Sequence, residues 1–277
     1  MAPRAEDPDD DVAAVEIDRW QEIAARPDVD RVASEEPLEI QVGAEPLAVV
    51  MRTPGHDREL ALGFLITEAV ISGPDDLAAL RHESVSPDPA SAGNVIRALL
   101  RTGAAVDVAR VRRNLYVGSS CGVCGKTSLE RALATAPPLE DASRFAGERL
   151  LALPERLRES QRAFAATGGI HAAAIFDGDG KLLVVREDVG RHTAVDKTIG
   201  WAAANGRLPL AGHGLLVSGR ISFEIVQKAL AARLPVVAAV SAPTSLAVDL
   251  ATAGGVALVG FLRGRGFNVY GARERIE

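Results

Sequence analysis

The sequence has very little cysteine: two residues, Cys121 and Cys124, in a chain of 277. A disulfide-built scaffold needs more of them, spread along the chain, so that class is excluded. A long apolar run is also missing; none reaches the roughly 18–20 residues that cross a bilayer. No basic, apolar leader opens the chain, since Met1-Ala-Pro-Arg is followed by Glu6, Asp7, Asp9, Asp10 and Asp11. The expected setting is therefore the cytoplasm, with no membrane contact. Positive charge is not in excess either. The formal net charge is −6, which argues against a general nucleic-acid binder.

What is present is the balance of an ordinary globular chain, 47% hydrophobic and 25% charged residues. That content suffices for one large or two smaller domains. The charge is unevenly placed: residues 1–40 hold 13 acids against 4 bases, which leaves the remainder slightly basic. Residues 1–12 read as a disordered acidic tail. A body that is mildly positive can still take a phosphorylated ligand.

Residues 37–51 read as two short strands turning near Gly43. Asp57–Val70 reads as a helix, with Leu62, Leu65, Ile66, Ala69 and Val70 forming one apolar stripe that Gly73-Pro74 ends. Two strands are expected over Asn94–Leu100 and Val111–Val117. A helix is expected just after Cys124, from the stripe Leu129, Ala132, Leu133, Ala136 and the capping-box spacing of Thr127 and Glu130, closed by Pro137-Pro138.

The second half alternates more plainly. Ile170–Phe176 and Lys181–Glu187 flank Asp-Gly-Asp-Gly, a hairpin signal. A helix over Thr193–Ala204 follows, then strand 215–218, helix 222–232, strand 235–240, helix 244–253 and strand 256–262. Strands this apolar are covered by helices on both faces. The reading is a layered α/β domain over residues 141–277, its sheet largely parallel with a leading hairpin, preceded by a smaller α+β domain over residues 13–140.

The two cysteines form Cys-Gly-Val-Cys inside Gly118-Ser-Ser-Cys-Gly-Val-Cys-Gly125. Sulfur chemistry needs a thiolate, and an unperturbed cysteine with a pKa of about 8.5 supplies little of it at neutral pH. A helix N-terminus contributes about 0.3–1 kcal/mol to a neighbouring anion. At about 1.36 kcal/mol per pKa unit that is less than one unit, so Lys126 and backbone amides must add to it. A glycine-rich loop suits a carrier that visits two sites. Half of a zinc site and a thioredoxin-like redox pair are the competing readings. The first lacks a second cysteine pair, and the five histidines are dispersed.

Polar clusters fall at the predicted strand ends: Arg186–His192, Ser218-Gly-Arg220, Ser241-Ala-Pro-Thr244 and Arg263-Gly-Arg265. Ligands of α/β sheets bind outside the carboxyl ends of strands, where helix N-termini and arginines hold phosphate. Asp188, Arg191, His192 and Asp196 are each equally readable as helix caps and ion pairs; Glu187, Glu224 and Lys228 read as solvated or paired charges. Arg263-Gly-Arg-Gly is the more specific phosphate signal, with Phe261 or Phe267 available to cover a base. The zinc-deaminase pattern is broken, because His171 is followed by Ala-Ala and the cysteines lie upstream.

Ser119-Ser-Cys-Gly-Val-Cys-Gly-Lys126, Arg52-Thr-Pro-Gly55, Glu187-Asp-Val-Gly-Arg-His192, Ser218-Gly-Arg220, Ser241-Ala-Pro-Thr244, Gly260-Phe261 and Asn268-x-Tyr270 together resemble the formate dehydrogenase accessory sulfurtransferase family, FdhD, over roughly residues 35–272. The resemblance implies a sulfurtransferase and sulfur carrier. It takes sulfur from a cysteine desulfurase as a persulfide on Cys121, assisted by Cys124. It then passes that sulfur to the molybdenum cofactor carrying two molybdopterin guanine dinucleotides, which activates formate dehydrogenase. It further implies cofactor contacts from Phe261, Leu262, Arg263, Gly264, Arg265 and Gly266, no metal of its own, a cytidine-deaminase-like fold without zinc, and a homodimer. Thr193 stands where the family often has asparagine. A cofactor-binding chaperone and a dithiol oxidoreductase are the alternatives.

Overall fold

A computed structural model describes residues 11–21, 24–83, 93–102 and 125–277. The chain opens with a two-stranded antiparallel hairpin, β1 (Val12–Gln21) and β2 (Ala24–Ala33). A four-stranded sheet follows, built from β3 (Glu36–Val42), β4 (Glu45–Arg52), β5 (Leu77–Glu83) and β6 (Val95–Leu100) in the order β4-β3-β6-β5. The turn between β3 and β4 carries Gly43 at φ +61, a left-handed conformation that glycine takes without penalty.

Helix α1 (Asp57–Thr67) crosses from this sheet to the rest of the molecule. Its apolar residues are buried on nearly every side, Leu60 through Ile66 included, so it is a core helix with more than one apolar stripe. It stops three residues earlier than the sequence pattern suggests, where Ala69 turns left-handed at φ +54. The strand expected over Val111–Val117 and the cysteine loop lie outside the described residues.

Helix α2 (Gly125–Thr135) begins directly after Cys124. Three short helices follow, α3 (Gly147–Leu150), α4 (Leu153–Ser160) and α5 (Arg162–Thr167). Then come β7 (His171–Phe176), β8 (Leu182–Asp188), α6 (Arg191–Ala204), β9 (Gly214–Val217), α7 (Phe223–Ala231), β10 (Val236–Ala239), α8 (Ser245–Gly254), β11 (Ala257–Arg263) and β12 (Gly266–Gly271).

These strands form one six-stranded sheet in the order β12-β11-β10-β9-β7-β8. Only the β9–β10 and β10–β11 pairs are parallel, while β7–β8, β7–β9 and β11–β12 are antiparallel. The expectation of a largely parallel sheet is thus corrected to a mixed one. Hairpins at both ends supply antiparallel neighbours to a parallel centre made by helical crossovers.

Both faces of the sheet are covered. Ala173, Ile175, Leu215, Val217, Val237 and Leu258 face a core shared with α6, α7 and α8. The alternate residues Ala172, Phe176, Leu216, Val236 and Val259 face Phe145, Leu150, Leu153 and Leu157 on the other side. Two-sided burial explains why these strands show no polar alternation. Helix α2 also belongs to this packing, since Ala132 and Ala136 join the core on the α6–α8 face. No helix among the described residues is long and apolar enough to cross a membrane.

Candidate functional site

Four strands, β8, β9, β10 and β11, run in one direction, so the polar segments that follow them gather along one edge. The segments are laced together by backbone bonds. Ile221 N–H donates to Ala242 O (3.1 Å), Thr244 N–H to Ile221 O (3.0 Å) and Phe261 N–H to Ser241 O (2.9 Å). Gly260 is pressed against this lacing: a Cβ there would lie 2.8 Å from Pro243 Cδ, so only glycine fits.

The β11–β12 hairpin ends the row. Its register shifts between Gly260 and Arg263, a bulge at Phe261 and Leu262. Phe261 sits there with φ +56, which for a bulky residue is a strained, left-handed conformation. The bulge aims the ring outward, leaving it 37% exposed, with the Arg263 guanidinium 5.8 Å from the ring centroid. Gly264, at φ +60, begins the two-residue turn that displays Arg265. Leu262 is fully buried, so of the expected segment it can offer a ligand only its backbone. Phe267 packs against the core behind the sheet, which leaves Phe261 as the ring able to cover a base.

At the other end of the edge, Asp188 does not face the cleft. Its buried carboxylate accepts bonds from Thr53 N–H (3.2 Å), Gly190 N–H (2.9 Å) and Thr193 Oγ1 (2.5 Å), and pairs with the equally buried Lys197 at 2.8 Å. Lys197 donates in turn to Thr53 O at 2.8 Å. Thr193 is therefore turned away from any ligand. Helix α6 begins at Arg191 with Gly190 as its cap, two residues before the expected start, so Thr193 lies in the first turn. A Cβ on Gly190 would meet Thr193 Oγ1 at 2.3 Å, which accounts for that glycine.

The Arg52-Thr-Pro-Gly segment braces this arrangement. Arg52 makes a two-pronged pair with Asp57 (2.9 and 3.0 Å) and reaches Glu36 and Asn94. Thr53 Oγ1 accepts from Val189 N–H. Glu187 accepts from the Ala163 and Phe164 N–H groups, and Arg186 pairs with Glu59. Asp196 and Lys228 are buried partners at 2.9 Å. These residues hold the scaffold, as the ion-pair reading of Glu187 and Lys228 expected. A cavity of about 290 Å³ opens beyond the β8 edge, between His56, Arg162 and Glu187.

Arg191 and His192 open α6 and His171 opens β7, which places all three at the strand-end edge. Burial, then Arg191, holds the His171 imidazole below its ordinary pKa. The same two causes push His192 down to about 4. Both rings are neutral at pH 7. His192 Nε2 lies 3.2 Å from Ser222 Oγ.

The cysteine loop is outside the described residues, but the helix it leads into is not. Arg233 donates to the carbonyls of Pro137 (2.5 Å) and Pro138 (3.1 Å), and Leu139 N–H to Gly254 O (2.9 Å). The C-terminal end of α2 thus sits beside the C-terminal ends of α7 and α8. Helix α2 also contacts α8, and at 1.5 Å per residue its eleven residues span about 16 Å.

A family model described as the FdhD/NarQ family matches residues 33–277. A curated relative from Mycolicibacterium paratuberculosis, named sulfur carrier protein FdhD, is 51% identical over 91% of this chain and 93% of its own length. One of the same name from Streptomyces coelicolor is 50% identical over 92% and 91%. Among solved structures, a crystal structure from Desulfotalea psychrophila, described as a formate dehydrogenase accessory protein, superposes with a TM-score of 0.73 over 96% of this chain and 99% of that one. It is 21% identical, so it speaks for the fold alone.

Proposed function

This chain belongs to the FdhD/NarQ family, and from that premise we propose that it carries sulfur on Cys121 and delivers it to a molybdenum cofactor bearing molybdopterin guanine dinucleotides, so activating formate dehydrogenase. The relatives' name, sulfur carrier protein, supports the sulfur-transfer part. The observation that carries the acceptor part is Phe261, held outward on a strained bulge with Arg263 beside its ring. That pairing of an exposed aromatic face with arginines is suited to a purine and its phosphates.

In this reading the Cys121 thiolate attacks the outer sulfur of a desulfurase persulfide. The S–S bond there breaks, and the desulfurase cysteine leaves as thiolate. At the acceptor, Cys124 attacks Cys121 Sγ, closes a disulfide and releases the outer sulfur as sulfide for the metal centre. The cofactor is cargo on this protein. Phe261 would cover the guanine, Arg263 and Arg265 its phosphates, and the backbone of Leu262, Gly264 and Gly266 would line the turn. We read the six-stranded unit as the cytidine-deaminase-like domain, the preceding part as its smaller companion, and the working assembly as a homodimer.

The test is mass spectrometry of the full chain after incubation with a cysteine desulfurase and cysteine. One added sulfur is expected on the peptide holding residues 121–124, absent in Cys121→Ala. If no sulfur is gained there, or if Cys121→Ala still activates formate dehydrogenase, the carrier role is wrong.

A further inference from the structure

Arg191 is the residue that the site leaves unexplained. Its Nε is buried with no hydrogen-bond partner, the one such side-chain atom among the described residues. No carboxylate lies within ion-pair distance of it among the described residues, although the nearby Arg186 and Arg52 are both fully paired. A sealed N–H without an acceptor is costly, and in native proteins such a group calls for a ligand, ion or water.

The surroundings are built to the same end. The His171 ring lies against Gly219, where a Cβ would come 3.3 Å from Nδ1 and 3.7 Å from Arg191 Cβ. The glycine leaves its backbone bare between the two side chains. Arg191 is also the first residue of α6, a helix of 14 residues whose cap, Gly190, offers no side-chain bond. The free amides of that first turn favour an anion. His192, from the same turn, meets Ser222 across the gap.

We propose that Arg191, with His171, His192 and the backbone at Gly219, forms a second phosphate subsite, which takes the far anionic end of the ligand whose purine lies against Phe261. The inference rests on the cofactor reading above and adds a second point of attachment to it. His171 opens β7, and β11 is three places further along the sheet in the order β7-β9-β10-β11. At about 4.8 Å per strand the two basic ends stand roughly 14 Å apart. A ligand that reaches both must carry separated anionic groups, as an extended dinucleotide does.

The two imidazoles report occupancy. The charges facing His171 are Arg191 and Asp188; those facing His192 are Arg191, Glu224, Lys228 and Glu68. A phosphate seated on Arg191 offsets its repulsion of both rings, so their protonation should become easier.

The experiment is an NMR pH titration of the five histidines in the full chain, with and without saturating inorganic pyrophosphate, assigned through His171→Gln and His192→Gln. Pyrophosphate should raise the apparent pKa of His171 and His192 by about one unit, and leave His56, His82 and His213 in place. Arg191→Gln should weaken pyrophosphate by about tenfold or more. In the Arg263→Gln/Arg265→Gln protein the shift at His171 should persist. Absence of the shift in the unmodified chain overturns the subsite, whatever the variants do, as does an equal shift in Arg191→Gln. Guanosine diphosphate binding, measured separately, keeps the two readings apart. If it binds and His171 stays silent to pyrophosphate, the subsite alone falls. If it fails to bind while His171 shifts, the purine site falls and the subsite stands.

Discussion

Lys228 Nζ lies 2.9 Å from the Asp196 carboxylate, with neither side chain more than 5% exposed. The ammonium also donates to Thr67 Oγ1 (2.9 Å) and Glu68 Oε1 (3.0 Å), so its three protons have three acceptors. Through it α7 is tied to α6 and to the end of α1. Burial pushes Asp196 up to about 6 even with Lys228 opposing, and the Glu68 carboxylate adds a smaller upward push. Lys228→Met should therefore cost about 3–5 kcal/mol by orphaning a buried acid. Lys228→Met/Asp196→Leu should recover part of that loss. Urea unfolding checks both, and an unchanged midpoint for the single variant would mean that the network does not stabilise the fold.

Two glycines set how closely α1 and α6 approach. A Cβ on Gly63 would stand 1.9 Å from Asp196 O, and one on Gly200 1.8 Å from Glu59 O. The obstacles are backbone atoms, which cannot swing aside. Alanine favours a helix by about 1 kcal/mol over glycine, so on propensity alone each substitution would stabilise. Here Gly63→Ala and Gly200→Ala should each destabilise by about 3 kcal/mol or more, read from urea midpoints or from loss of soluble protein. A stabilised variant would mean that the helices do not cross at these points.

That crossing also shows what could and could not be read from the sequence. The strands of the second half were legible because burial on both faces removes polar residues from them, and the Asp-Gly-Asp-Gly hairpin is a local signal. Strand β2 was not, since Ala24–Ala33 is charged, holds Pro27 and is almost wholly exposed, and so carries no alternating apolar signal. Strand β12 hid behind the glycines and arginines of its turn. At the site, Arg263 and Arg265 were visible as a local motif, but the duty of Thr53 was not. Its partner Asp188 is 135 residues away, and no spacing rule connects them. Nor could Phe261 be separated from Phe267, because that choice depends on a bulge that turns one ring out and the other toward the core. For Cys121 and Cys124 the argument remains one of thiol chemistry.

His192 gives the fold a pH dependence whose sign follows from its surroundings. Burial and Arg191 hold it at about 4 when folded, against about 6.5 unfolded. Between those values the unfolded chain binds the extra proton, so acid favours unfolding. The stability is fully present above about pH 6.5 and is lost as pH falls toward 4. In His192→Gln the slope of urea midpoint against pH across this window should be shallower. Parallel slopes for the two proteins would show that the folded protein accommodates the charged ring.

Phe261 poses stability against function at a single residue. Its left-handed backbone costs about 1–3 kcal/mol, which glycine would relieve. The ring, already 37% exposed, gives back only part of a buried side chain's worth. These two losses oppose each other, so Phe261→Gly should unfold within about 1 kcal/mol of the unmodified chain. Binding should behave differently. A base stacked on an aromatic face is worth about 1–3 kcal/mol, and the affinity for guanosine diphosphate should fall by about 5- to 150-fold. Calorimetric titration beside urea unfolding separates the two effects. Equal affinity in Phe261→Gly would show that the strain at this bulge serves something other than holding a purine.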